Sequence, residues 1–229
     1  MSDHDSGRPA VAHRLLLLRH GEVASHRGDV PVTPAGLRTA TEVGRRLGAS
    51  ASGRLLLLSG ETRRTRETAQ AIADGATAVG AAVDGPRVAF ALRNPDLYLA
   101  GARVDMVSSP EDFANQVPRL DPEQVTASTF FSGFLEASDR VGWWLRHPDP
   151  PGDDGAAVRA RIADFAGSLV DAGPSSGATT IGVTHSPVLR ACALGVLDSD
   201  PGEPDWVGGL EVRVLTDRSV EMHWLDGAP

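Results

Sequence analysis

The chain is 229 residues long, 41% hydrophobic, with 22 basic against 30 acidic side chains and a net charge of −8. That length can bury a full core in one domain. No apolar run approaches the roughly 18 residues of a membrane span, and the acidic balance argues against nucleic acid as a partner. Every basic residue is an arginine, which removes a P-loop lysine, a Schiff-base lysine and a lysine general base at once.

Residues 1–12 read as a loose polar tail without an export signal, which leaves 13–229 as one domain with a cytoplasmic location expected. The single cysteine, Cys192, cannot form an intramolecular disulfide and suits a small buried position in a reducing compartment. The first apolar run, Leu15 to Leu18, is short and unbroken, as a strand covered on both faces would be. Thr33-Pro34 then supplies an N-cap and first-turn pair for a helix carrying Leu37, Ala40, Val43 and Leu47 at helical spacing. Leu55 to Leu58 repeats the strand pattern, a helix is expected over about 62–73, and residues 88–92 read as a third strand.

Residues 93–150 break this rhythm with proline punctuation and the aromatic-rich piece TFFSGFLEASDRVGWWL, read as an inserted helical lid whose aromatic residues pack it onto the core or, alternatively, line a pocket for an apolar substrate moiety. A long amphipathic helix starts at Gly155, carries Val158, Ile162, Phe165 and Leu169 on one face, and ends at Gly173-Pro174. A strand over 179–183, a helix over 187–197 and an edge hairpin around Asp217-Arg218 complete the chain, and the hairpin near 209–225 leaves room for a homodimer. Strand and helix alternate, so the expected fold is α/β: a three-layer sandwich with a mostly parallel central sheet, helices on both faces and the inserted helical lid.

Ligands of open α/β sheets bind outside the carboxyl ends of the strands. Here the first strand ends on Arg19-His20-Gly21, the second leads into Arg63, Arg64 and Arg66, and the late strand ends on His185. Two histidines and at least one arginine therefore converge from separate regions. Arginine forks bind phosphate oxygens bidentately, a neutral imidazole can attack phosphorus, and fixed positive charge can supply the stabilisation that a metal gives elsewhere. The remaining histidines have no metal-ligand spacing and no GxGxxG fingerprint is present, so neither a metal nor another cofactor is expected.

RHGE at 19–22, DVPVTPAGLRTA at 29–40, ETRRTRETAQ at 61–70 and THSPVLRA at 184–191, in that order, resemble the histidine phosphatase superfamily, also called phosphoglycerate-mutase-like. The resemblance covers about 14–75 and 155–225. It implies that Arg19 and Arg64 bind phosphate, with Gly21 in the same motif, that His20 is a nucleophile forming a phosphohistidine, and that His185 completes the pocket. Arg64 is preferred over Arg63 and Arg66 by its spacing to Thr68-Ala69. The sequence has Gly60-Glu61-Thr62 where the family usually has Ser-Pro-Leu, and His26 where a phosphate-contacting asparagine is common.

The family's acid segment is not recognisable. In many members the proton donor follows the third strand, which points to Asp96, with Glu22, Glu111, Asp112 and Glu136 as alternatives. A metal-independent phosphatase acting on a small phosphorylated metabolite is the leading expectation. The alternatives are a mutase-type phosphotransferase and a noncatalytic phospholigand-binding protein.

Overall fold

In the computed structural model of the chain, residues 9–25, 28–171 and 178–229 are described. The two leucine runs form the centre of the sheet. β1 (Val11–Arg19) and β2 (Leu55–Ser59) each pair in parallel with β6 (Thr179–Thr184), which lies between them. β3 (Val83–Val88) extends the parallel part beyond β2, while β7 (Gly209–Leu215) and β8 (Val220–Trp224) add an antiparallel hairpin beyond β1, giving the order β3-β2-β6-β1-β7-β8.

The reason for four consecutive leucines is geometric. Successive side chains of a strand point to opposite faces, so a strand covered on both sides needs an apolar residue at every position. Leu15, Leu17, Leu56 and Leu58 enter one core with the insertion, α7 (Gly155–Asp171) and α8 (Ser186–Ala193). Leu16, Leu18, Leu55 and Leu57 enter the other, under α1 (Pro34–Ser50) and α2 (Arg63–Ala78). Each fully buried leucine contributes about 2 kcal/mol of transfer free energy.

α1 starts where its cap dictates, with Thr33 Oγ1 accepting from the Gly36 amide at 3.0 Å and Pro34 in the first turn. α1 and α2 then pack at very short range. A Cβ on Gly44 would stand 2.1 Å from the Ile72 carbonyl oxygen, and one on Gly75 2.0 Å from that of Thr41. Only glycine at both positions permits this approach, which fixes the direction of α2 and with it the place of Arg64.

The third strand is Val83–Val88, earlier than the pattern at 88–92 suggests, and Phe90–Leu92 is a single 3-10 turn. β3 is a sheet edge, where Asp84, Gly85 and Pro86 are tolerated and apolar alternation is not needed. The insertion is also less helical than expected. It opens with a ribbon of β4 (Leu97–Leu99) and β5 (Ala102–Val104), turned by Ala100 and Gly101 at φ 49° and 81°, as a two-residue hairpin of that hand requires.

Four short helices follow: α3 (Pro110–Ala114), α4 (Pro122–Ala127), α5 (Thr129–Glu136) and α6 (Arg140–Arg146). Phe113, Phe130, Phe131, Phe134 and Trp144 from these helices are buried in the larger core, so the aromatic residues do pack the insertion down. α8 stops at Ala193, short of the expected 197, and leaves Leu194, Val196 and Leu197 part-exposed. β1 begins at Val11, within the stretch read as tail, whereas residues 1–8 and the Gly173-Pro174 helix end lie outside the described residues. No helix among the described residues is long and apolar enough to cross a membrane.

Candidate active site

The carboxyl ends of β1, β2 and β6 open into a cavity of about 470 Å³. Arg19, His20, Arg64 and His185 all line it, as expected from their places at strand ends and helix starts. Backbone bonds between neighbouring chain segments pin Arg19, His20 and the loop that leads to Arg64. The His20 amide donates to the Thr184 carbonyl at 3.0 Å, the Arg19 amide to Gly208 at 2.8 Å and the Gly60 amide to Val183 at 2.9 Å.

His20 is oriented by its own chain. Its Nδ1 lies 2.9 Å from the Gly21 carbonyl oxygen, which can only accept, so Nδ1 carries the proton and the neutral ring keeps its lone pair on Nε2. Gly21 is held in turn, its amide donating to Thr68 Oγ1 at 2.8 Å while Thr68 Oγ1 donates to the Arg64 carbonyl at 2.7 Å. One hydroxyl thus couples the histidine loop to the first turn of α2. The His20 and His185 ring centroids are 5.5 Å apart, close enough for one tetrahedral anion to touch both.

The two arginines differ in how they are held. Arg19 stacks on Trp206, with its guanidinium carbon 3.7 Å from the ring centroid, donates to the Pro204 carbonyl at 2.6 Å and pairs with Glu203 at 3.0 Å. Arg64 is buried and, among the described residues, its guanidinium makes neither an ion pair nor a hydrogen bond. Burial pulls both guanidinium groups below their ordinary pKa, although the charges of Glu203 and Asp205 oppose it for Arg19 and those of Asp29 and Asp105 for Arg64. A buried cation without a partner costs free energy that an entering anion recovers. His26 lies outside the described residues, so its place relative to this anion site is not described.

Residues 15–84 match the family model of the histidine phosphatase superfamily (branch 1). Over those residues the chain is similar to that superfamily. Its fold is shared with a mycobacterial glucosyl-3-phosphoglycerate phosphatase in complex with VO3, at 19% identity and a TM-score of 0.60, covering 95% of this chain and 100% of that one. It is shared equally with a phosphoglycerate mutase from Bacillus anthracis, at 14% identity and a TM-score of 0.56 over 96% of this chain and 95% of that one. A phosphoserine phosphatase variant from Entamoeba histolytica in complex with phosphoserine gives 16% identity and a TM-score of 0.54, over 92% and 94% respectively. No curated protein matches the sequence.

The expected proton donor is the main correction. Asp96 does not line the cavity. Arg93 donates to it from Nε at 3.0 Å and from Nη2, and Arg103 Nε donates to its other oxygen. Burial works to raise its pKa, but these hydrogen bonds outweigh it and hold the carboxyl below its ordinary range. The side chain that reaches the cavity from this segment is Asn94, two residues earlier.

None of the alternatives lines the cavity either. Glu22 accepts from Thr33 Oγ1 at 2.8 Å, Asp112 from Ser109 Oγ at 2.8 Å and Glu136 from Ser132 Oγ at 3.2 Å, while Glu111 is exposed on α3.

The carboxylates that do reach the cavity were not picked out by motif. Asp139, the N-cap of α6, and Glu203 both bind Arg190, a fully buried residue of α8 that also holds Asp200. Burial alone would lower the Arg190 pKa, but its hydrogen bonds to Asp139 and Asp200 raise it above its ordinary value. Arg190 is the second-last residue of the THSPVLRA segment, and its complete burial is the one property that helical spacing could have disclosed. Among the described residues, no group of three or more His, Cys, Asp or Glu side chains is placed to hold a metal ion.

Proposed function

We propose that the chain is a phosphatase that hydrolyses a small phosphorylated metabolite through a phosphohistidine on His20. The reading is carried by one observation: His20, oriented by the bond from its Nδ1 to the Gly21 carbonyl, shares a cavity with the buried guanidinium groups of Arg19 and Arg64. Nε2 attacks phosphorus while Arg64 and Arg19 hold the equatorial oxygens, and this fixed charge offsets the charge of the transition state without a metal. Water then attacks the phosphohistidine, and the phosphoryl group leaves as inorganic phosphate. Two fold relatives bear the names of phosphatases, which agrees with this reading.

Turnover of p-nitrophenyl phosphate by the wild-type chain and by His20→Ala tests it. Wild-type activity that is vanadate-sensitive and unaffected by EDTA is expected, with a loss of at least about 10³-fold in the variant. Equal, negligible rates in both would leave only a phospholigand-binding protein. Transfer of labelled phosphate to a second hydroxyl in place of water would make it a phosphotransferase.

A further inference from the structure

The cavity extends beyond the phosphate end, and its outer half shows what a substrate must do without. An alkyl phosphate expels an alkoxide, which must gain a proton as it leaves. Among the described residues, the carboxyl groups lining the cavity are those of Asp139 and Glu203. Arg190 binds Asp139 through both oxygens, at 2.8 and 2.7 Å, and Glu203 is shared between Arg19 at 3.0 Å and Arg190 at 3.1 Å. The hydrogen bonds from Arg190 hold the Asp139 carboxyl low, at about 2, and both Glu203 oxygens are taken up by guanidinium groups. The segment after β3 contributes the amide of Asn94, which is no acid.

Two features of the same half concern the leaving group itself. Met106, Val107, Phe134 and Val141 present an apolar wall on which an unprotonated alkoxide would be costly. Arg140 also lines this half. Its Nη2 donates to the Leu135 carbonyl at 3.3 Å and its buried Nε has no partner, and among the described residues no carboxylate pairs with it. Among the described residues, this half therefore presents no free carboxylic acid but holds a cation with donor capacity left over.

Resting on the phosphatase reading, we infer that the substrate is a phosphoryl donor whose leaving group departs as a stable anion, an acyl phosphate or a phosphoanhydride, with Arg140 receiving that anion. The step balances without a protein acid. The His20 Nε2–P bond forms, the P–O bond breaks with its electron pair going to the leaving oxygen, and a carboxylate or phosphate departs unprotonated. Water then attacks phosphorus, the N–P bond breaks back to Nε2, and both protons of water leave on inorganic phosphate.

Asp105 is the nearest rival acid. Burial pushes its carboxyl up, but it lies outside the cavity lining and 3.7 Å from Arg103.

Benzoyl phosphate and benzyl phosphate share a ring and differ in the leaving group, benzoate against an alkoxide. With p-nitrophenyl phosphate they form the test, each assayed on wild type, His20→Ala and Arg140→Gln. We expect kcat/KM for benzoyl phosphate to exceed that for benzyl phosphate by at least about 10²-fold, the lower end of what a missing general acid withholds. Arg140→Gln should narrow that ratio.

Benzyl phosphate turned over within about tenfold of benzoyl phosphate would mean that an acid is present and overturn the inference. Asp105→Asn and His185→Gln would then show which group supplies the proton. An equal loss on both substrates in Arg140→Gln gives that residue a structural role and overturns its part. If p-nitrophenyl phosphate is not hydrolysed in a His20-dependent way, it is the phosphatase reading that fails.

Discussion

Glu203 joins Arg19 to Arg190, accepting from one at 3.0 Å through Oε2 and from the other at 3.1 Å through Oε1. A carboxylate thus sits within the anion site itself, partly neutralising the arginine that ends β1. Arg19 does not depend on it for position, because the Pro204 carbonyl and the Trp206 ring also hold the guanidinium. Glu203→Gln should therefore remove repulsion while leaving geometry in place. With the Glu203 side chain 48% exposed, solvent screens the effect to about 1 kcal/mol, so inhibition by inorganic phosphate should tighten roughly fivefold. Phosphate inhibition constants for the two proteins measure it, and weaker binding in the variant would mean that Glu203 positions Arg19 after all.

Arg64 makes a different case, a cation that among the described residues has neither an ion pair nor a hydrogen bond and feels only the charges of Asp29 and Asp105. Arg64→Lys keeps the charge but replaces a planar fork with a point charge on a flexible stem, which cannot bind two phosphate oxygens in parallel. We expect a loss of about tenfold or more in kcat/KM for p-nitrophenyl phosphate, of the order of one charge-assisted hydrogen bond. Steady-state kinetics decide it; activity equal to wild type would show that Arg64 acts as charge alone.

The placement of Arg64 depends on how closely α1 and α2 approach. Gly44→Ala sets a Cβ 2.1 Å from the Ile72 backbone oxygen, which cannot move aside as a side chain would. The helix-propensity gain of about 1 kcal/mol is smaller than the cost of separating the helices. A net destabilisation of about 2 kcal/mol, or roughly 4–8 °C in Tm, is expected, together with reduced activity as α2 shifts. Thermal melts and p-nitrophenyl phosphate turnover on one preparation test both parts.

The inner half of the site was legible because it is built from chain punctuation. Arg19-His20, Arg64 and His185 each follow an apolar strand, and the rule that such ends carry the ligand needs no knowledge of side-chain contacts. The outer half was not legible. Asp96 and Asn94 stand two residues apart in one loop, and what turns Asp96 away is the pair Arg93 and Arg103, the second of which reaches it from β5. Arg190 meets carboxylates from 10 to 51 residues distant, and Trp206 comes under Arg19 only because β7 lies beside β1. β3 was misplaced for a related reason, since an edge strand need not carry the apolar pattern by which strands are read.

Asp139 ties the insertion to the core, and its charge state makes that tie pH-dependent. Hydrogen bonds from Arg190, foremost, bring its carboxyl from an ordinary value of 3.8 down to about 2. A group depressed on folding stabilises fully above its unfolded value and loses that contribution as pH falls through its folded value, so the window here runs from about pH 4 to pH 2. The side chain is 48% exposed, which limits the contribution to about 1 kcal/mol after screening. Asn is as good an N-cap as Asp, so Asp139→Asn keeps the bond from the Gly142 amide and removes only the charge. Denaturant melts of both proteins should show wild type more stable by about 1 kcal/mol at pH 5–7, with the gap closing as pH approaches 2. A gap that does not change with pH would locate the contribution in packing instead of the Arg190 pair.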